Sequence, residues 1–151
     1  MELIRNGNRR VVITGMGAVT PLGELNQFWE GLLAGKSGIR RISWFDPSDL
    51  EVQIAGEVDF DPKEFFSPRD ARRMSRASQL ALVAARMALK DCGLTKDEVW
   101  ENGDRMGVVM GTANAGFELL VDMSYDYLQN GKKPMPTVFV NGLPNLPGHH
   151  I

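Results

Sequence analysis

One cysteine, Cys92, stands in 151 residues, so neither an internal disulfide framework nor a multi-cysteine zinc site is available. That absence fits a reducing compartment. No apolar run approaches the roughly 20 residues needed to span a bilayer, and the N-terminal "MELIRNGNRR" lacks the apolar stretch of a signal peptide. A cytoplasmic protein without a membrane partner is the expectation. An excess of charge of one sign is missing too. The formal net charge is −2, whereas nucleic-acid binders usually carry a basic excess, so nucleic acid is not an expected partner and any charge argument has to be local. What is present is a globular composition, 43% hydrophobic and 24% charged, without the bias of a disordered segment or the glycine period of collagen.

Residues 10–14, "RVVIT", are predicted to be a short buried strand, because Val-Val-Ile is continuous rather than alternating, as in a parallel sheet covered on both faces. "RMGVVMGT" at 105–112 repeats that grammar. Between Glu24 and Ala34, the apolar Leu25, Phe28, Trp29, Leu32 and Leu33 recur at helical spacing, with Gly35 to end the helix and Lys36 near the negative end of its dipole. Gly38, Pro47, Pro62 and Pro68 punctuate residues 36–68, a long ordered connection in which only "VQIAGEV" (52–58) reads as a strand, at an edge or outside the main sheet. From Ser67, a candidate N-cap followed by Pro68, to the stop at Gly93, one helix is predicted. It is apolar nearly all round, and Ala77, Ala81, Ala84, Ala85 and Ala88 suit it to burial and close packing. A further helix spans about Phe117 to Gln129 and ends at Gly131, and the prolines of the tail rule out a long regular helix there. This order points to an α/β chain with a parallel sheet. Two good strands and a doubtful one are fewer than a doubly covered sheet normally has. The chain therefore reads as the front part of something larger, with residues 1–8 as a flexible N-terminus.

"TGMGAVTPLG" invites a dinucleotide reading, which needs Gly-x-Gly-x-x-Gly or Ala with the helix opening inside the motif. Here Gly15 and Gly17 are followed by Thr20, and Pro21, Leu22 and Gly23 delay the helix to about Glu24. No strand ends in an acidic residue about 20 positions on. The alternative is that the glycines let the chain turn tightly between strand and loop.

Three groups of side chains suggest chemistry. Cys92 lies in "LKDCGL", at the C-terminal end of a helix, where the dipole and the adjacent Asp91 both disfavour a thiolate; it reads as a small structural hydrophobe rather than a nucleophile. His149 and His150 are adjacent, so their side chains diverge on a helix or strand, and no carboxylate completes a metal site; structural roles are expected. Arg69, Arg72, Arg73 and Arg76 recur at i, i+3, i+4 and i+7 and would form one cationic helix face with only Asp70 as a nearby counter-charge. Such a face is either a docking surface for an anion or simply solvated.

Taken in order and at their spacings, "RRVVITGMGAVTPLG", "FWEGLLAGKSGIRRISWFDPSD", "QIAGEV", "ARRM", "ALKDCGL", "GVVMGT" and "NLPGHHI" resemble the N-terminal portion of a type II, elongating β-ketoacyl-acyl carrier protein synthase. The resemblance runs from Arg9 to the end of the chain. It implies an α/β fold, the N-terminal part of a thiolase-like architecture with a mixed sheet and covering helices, incomplete here. It also implies decarboxylative condensation of malonyl-carrier protein with an enzyme-bound acyl chain, in fatty acid synthesis, without a cofactor or metal. The family's nucleophilic cysteine and its two histidines would fall beyond Ile151, so no residue here is a catalytic candidate and the chain alone is expected to be inactive. A chain-length-determining subunit that docks carrier protein without a nucleophile is the competing reading. Homodimers and an acidic acyl carrier protein are the implied partners. The resemblance tips the arginine face toward carrier-protein docking, with Lys132 and Lys133 extending it. Where the family commonly has an aromatic pair lining the acyl pocket and dimer boundary, this chain has Met135, Pro136, Thr137 and Val138. Its loop "GTANAG", which begins at Gly111 and Thr112, replaces a more glycine-rich version near the same pocket. Thr112, Thr137 and Val138 are thus the candidate boundary residues.

Overall fold

A computed structural model describes residues 4, 5 and 7–151. Three two-residue antiparallel ladders and seven α-helices are described. β1 (Ile4–Arg5) pairs with β2 (Asn8–Arg9), within the stretch expected to be flexible; residues 1–3 and 6 of that stretch lie outside the described residues. β3 (Val19–Thr20) pairs with β4 (Gly23–Glu24) around Pro21 and Leu22. Thr20 closes this turn: its Oγ1 donates to Gly23 O at 2.8 Å and accepts from Leu22 N at 3.1 Å. β5 (Arg40–Arg41) pairs with β6 (Ile54–Ala55), so the doubtful strand at 52–58 does form, shortened, in a small ladder of its own.

The helices follow their local signals closely. α1 (Leu25–Leu33) starts where Gln27 Oε1 accepts the Glu24 amide at 2.9 Å and stops before Gly35, whose φ of 65° few other residues adopt. The single helix predicted from Ser67 is divided. α2 (Pro68–Ala71) is capped by Ser67, a turn covers Arg72 to Ser75, and α3 (Arg76–Asp91) begins afresh with Ser75 as its own N-cap. The physical reason is the second cap: Ser75 Oγ accepts the Ser78 amide at 3.1 Å, an alternative to continuing the helix through residues 72–75. α4 (Lys96–Glu101), which the sequence reading did not anticipate, opens on a reciprocal Thr95–Glu98 box. α5 (Phe117–Asn130) matches its prediction to within a residue and ends on the left-handed Gly131. The proline-rich tail forms two short helices, α6 (Pro136–Asn141) and α7 (Leu146–His150), each with proline in its first turn, where the missing amide costs no helical bond.

The two strands expected to be central are not strands. Residues 10–18 and 106–112 belong to no described element, and Val11, Ile13 and Val109 are 93%, 83% and 100% exposed. No parallel pairing occurs among the described residues. A strand exists only by virtue of a neighbour, and neither run meets one to share its hydrogen bonds. What remains of the predicted grammar is a close approach to α3. A Cβ at Gly15 would sit 2.6 Å from Cys92 N, and one at Gly17 would sit 2.7 Å from Ala88 N. The Met16 amide donates to Asp91 Oδ2 at 2.9 Å. Gly15 and Gly17 therefore serve backbone-to-helix packing, and neither carries a positive φ.

α3 is the central element and packs most extensively on α7. Pro47, Met74, Val83, Leu146 and Pro147 are the buried apolar side chains described, with Val83 2% exposed. The accessible surface is 11,897 Å². A closed monomer of this mass exposes about 7,600 Å² by the usual surface scaling. The excess lies in apolar faces that nothing described covers, among them Trp29, Trp100, Leu128 and Phe139.

Candidate functional site

The division of the predicted helix decides what the arginines do. Arg69 lies on α2, Arg72 and Arg73 on the turn, and all three are exposed. None has an ion-pair partner among the described residues. Asp70, the expected counter-charge, is occupied by Ser67, whose hydroxyl donates to Asp70 Oδ2 at 2.7 Å and accepts the Asp70 amide at 3.2 Å.

Arg76 does not share that face. Its guanidinium lies 4.3 Å from the Trp44 ring centroid and 5.5 Å from that of Phe60, and donates to Val58 O at 2.7 Å. Its backbone amide donates to Glu118 Oε1 at 2.9 Å, tying the start of α3 to α5. Burial pushes the Arg76 guanidinium below its ordinary pKa, opposed by Glu118. The expected four-arginine face is thus a three-arginine turn with Arg76 turned inward as a fastener. Once α3 restarts at Ser75, the i+7 spacing from Arg69 is no longer measured along one helix.

The loop that receives Arg76 is organised by Glu57. This carboxylate accepts from Ser43 N at 2.9 Å, Ser43 Oγ at 2.7 Å and Trp44 N at 3.3 Å, with Arg40 Nε at 3.5 Å. These bonds, the Ser43 amide foremost, hold its pKa below the ordinary glutamate value. Arg40 also pairs with both carboxylate oxygens of Asp59, at 2.8 and 2.5 Å. Glu57 thereby fixes Trp44, on which Arg76 stacks.

The other expected site residues fall elsewhere. Lys132 is paired with Asp126 at 2.6 Å, and Lys133 is exposed. Both follow the C-terminal end of α5, whose 14 residues put about 20 Å between them and the Glu118 contact at its start. They do not extend the arginine turn into one patch. Thr112 Oγ1 donates to Pro144 O at 2.9 Å, joining the "GTANAG" loop to the tail; Thr137 is exposed and Val138 half-buried on α6, which packs on α5. Cys92 is the C-cap of α3, its thiol 3.1 Å from Leu89 O. His149 and His150 meet edge to face with centroids 5.6 Å apart. Burial, and to a lesser degree His149, lowers the pKa of His150. Among the described residues no three His, Cys, Asp or Glu side chains assemble as metal ligands, and no helix is long and apolar enough to cross a membrane.

The arginine turn before the start of α3 and the Gly15 and Gly17 contacts toward its far end do not make an active site, and comparison with known proteins gives the class of the chain. The β-ketoacyl synthase N-terminal domain family matches residues 8–148, and the chain belongs to it. It is 40% identical over 125 residues to 3-oxoacyl-[acyl-carrier-protein] synthase 2 of Synechocystis sp., covering 82% of this chain and 30% of that protein. It is 45% identical over 131 residues to the tetracenomycin polyketide synthase ketoacyl synthase alpha subunit of Streptomyces glaucescens, covering 85% of this chain and 30% of the relative. The ishigamide ketosynthase/chain length factor superposes with a TM-score of 0.72 at 32% identity, over 89% of this chain and 34% of that one. These neighbours carry the thiolase-like fold expected from the resemblance. The chain spans about a third of the length of the relatives it matches.

Proposed function

We propose that this chain is the N-terminal part of a β-ketoacyl-acyl carrier protein synthase, which joins malonyl-carrier protein to an enzyme-bound acyl group with loss of carbon dioxide. The observation that carries the reading is the family match over residues 8–148. The nucleophilic cysteine and two histidines that the family uses are assigned to sequence following Ile151. Cys92 is not their substitute, because it caps the negative end of α3. The 151-residue chain alone is accordingly inactive, and the complete protein is a homodimer of the cytoplasm.

Within this chain the functional surface is the docking turn of Arg69, Arg72 and Arg73, and its partner is the acidic acyl carrier protein. Three guanidinium groups without ion-pair partners attract an anionic protein over a distance of about one Debye length, roughly 8 Å at physiological ionic strength. Thr112, Thr137 and Val138 stand at the boundary of the acyl pocket and the dimer interface. Val138 in place of a larger aromatic leaves room for a longer or differently shaped chain. The test of docking is the affinity of the full-length protein for acyl carrier protein across a salt series. In R72E/R73E the affinity falls roughly ten-fold at low salt and the difference shrinks as salt rises; unchanged affinity at low salt contradicts docking.

The name of the ishigamide ketosynthase/chain length factor covers a condensing and a chain-length-determining partner alike, which keeps one alternative, a chain-length-determining subunit that docks carrier protein without condensing. The residue at the downstream nucleophile turn separates the two: cysteine for the synthase, another residue for the chain length factor.

A further inference from the structure

The docking turn has a polar support beneath it. Gln79, on the first turn of α3, is only 7% exposed. Its amide nitrogen donates to Ala71 O at 2.8 Å and to Met74 O at 3.4 Å. Those two carbonyls bracket Arg72 and Arg73: Ala71 ends α2, and Met74 leads into the Ser75 cap. The turn's own bonds, Arg73 N to Asp70 O at 3.0 Å and Met74 N to Ala71 O at 3.4 Å, leave Met74 O without another hydrogen bond among those described. Met74 and Ser75 are buried on the underside, at 7% and 0% exposure, while the two arginines stand on top.

We infer that Gln79 is a positioning residue for carrier-protein docking: its buried amide fixes the backbone from which Arg72 and Arg73 are presented. The inference rests on the docking reading above. Arginine side chains already have rotamer entropy to lose on binding, so a backbone held still before the encounter reduces what remains to be ordered. A donor is required at this position, because both partners are carbonyl oxygens. A side chain of similar size without the amide leaves Met74 O unsatisfied and Ala71 O with only the long Met74 amide bond, and the turn free to reorient. The partner that gains from such a turn presents its carboxylates at fixed spacing rather than on a flexible acidic tail.

The experiment is a double-mutant cycle in the full-length protein, with acyl carrier protein affinity measured at low salt for wild type, Gln79→Leu, R72E/R73E and the combination. Gln79→Leu is expected to weaken binding about five-fold in the wild-type background and not at all in the R72E/R73E background, a coupling of the size contacts in one network show. Hydrogen exchange at the Arg73 and Met74 amides is expected to accelerate in the same variant. Equal losses in both backgrounds mean general support of the fold and overturn the inference. Wild-type affinity in Gln79→Leu together with weakened binding in R72E/R73E overturns the inference and leaves docking standing. Unchanged affinity in R72E/R73E overturns docking and the inference together. Should Gln79→Leu not fold, Gln79→Asn, which shortens the reach but keeps the amide, runs the same cycle with a smaller coupling expected, and zero coupling overturns the inference.

Discussion

Glu57 carries more of the local architecture than any residue the sequence singled out. It gathers the Ser43 amide, the Ser43 hydroxyl and the Trp44 amide around one carboxylate. Because those donors hold its pKa below the ordinary glutamate value of 4.5, the folded state binds the proton less readily than the unfolded chain does. The stabilisation is therefore complete above 4.5 and is lost as the pH falls through the lower, folded value. Glu57→Gln is expected to lower the thermal midpoint at neutral pH. Titrating both proteins into acid should show the variant's stability changing less with pH than the wild type's; identical acid profiles would remove Glu57 from this role. The residue was not legible beforehand. "QIAGEV" looks like a strand end, and its partners lie 13 and 14 positions upstream, at a distance that no local pattern encodes. Arg76 was legible as a cation but not as a half-buried one stacked on an aromatic ring. That required knowing that Trp44 and Phe60 would be brought against it.

At the scale of elements, helices were read well and strands poorly, for one physical reason. α1 and α5 carry their evidence within themselves: apolar residues at helical spacing, then Gly35 or Gly131 in the left-handed region. Even the break between α2 and α3 was written locally, in a serine able to cap at both 67 and 75, although the alanine-rich run suggested one continuous helix. The runs at 10–14 and 105–112 have strand composition, but a ladder also requires a partner, which composition does not supply. Their packing is instead recorded in Gly15 and Gly17. Gly17→Ala is expected to destabilise the full-length protein by about 1–3 kcal/mol through overpacking against α3. Urea unfolding of the wild-type protein and this variant makes the comparison, and an unchanged midpoint would refute close packing as the reason for Gly17.

The whole molecule exposes far more surface than its mass requires, and its buried apolar side chains are few. Val11, Ile13 and Val109 face solvent in runs whose composition belongs to the inside of a sheet. The chain spans 30% of the synthase from Synechocystis sp., and those faces are the surfaces on which the remainder of such a protein would pack. Produced by itself, the 151-residue chain is therefore expected to bind a hydrophobic dye such as ANS strongly and to unfold without a sharp transition. A cooperative unfolding curve with no dye binding would show that the described elements close a core unaided. Fold class and lineage were legible at this scale because long motif blocks in fixed order rarely arise from fold alone. The arginine face was only partly legible, since whether four arginines share one surface depends on where a helix stops.

The central claim is that this chain contributes the docking and framework part of a condensing enzyme whose nucleophile lies elsewhere. Intact mass before and after incubation with acyl-carrier protein tests it most directly, on the 16.7 kDa chain and on the full-length protein side by side. The account predicts an acyl adduct on the full-length protein, at a cysteine outside residues 1–151, and none on the short chain. An acyl adduct on the short chain would make Cys92 a nucleophile and contradict it.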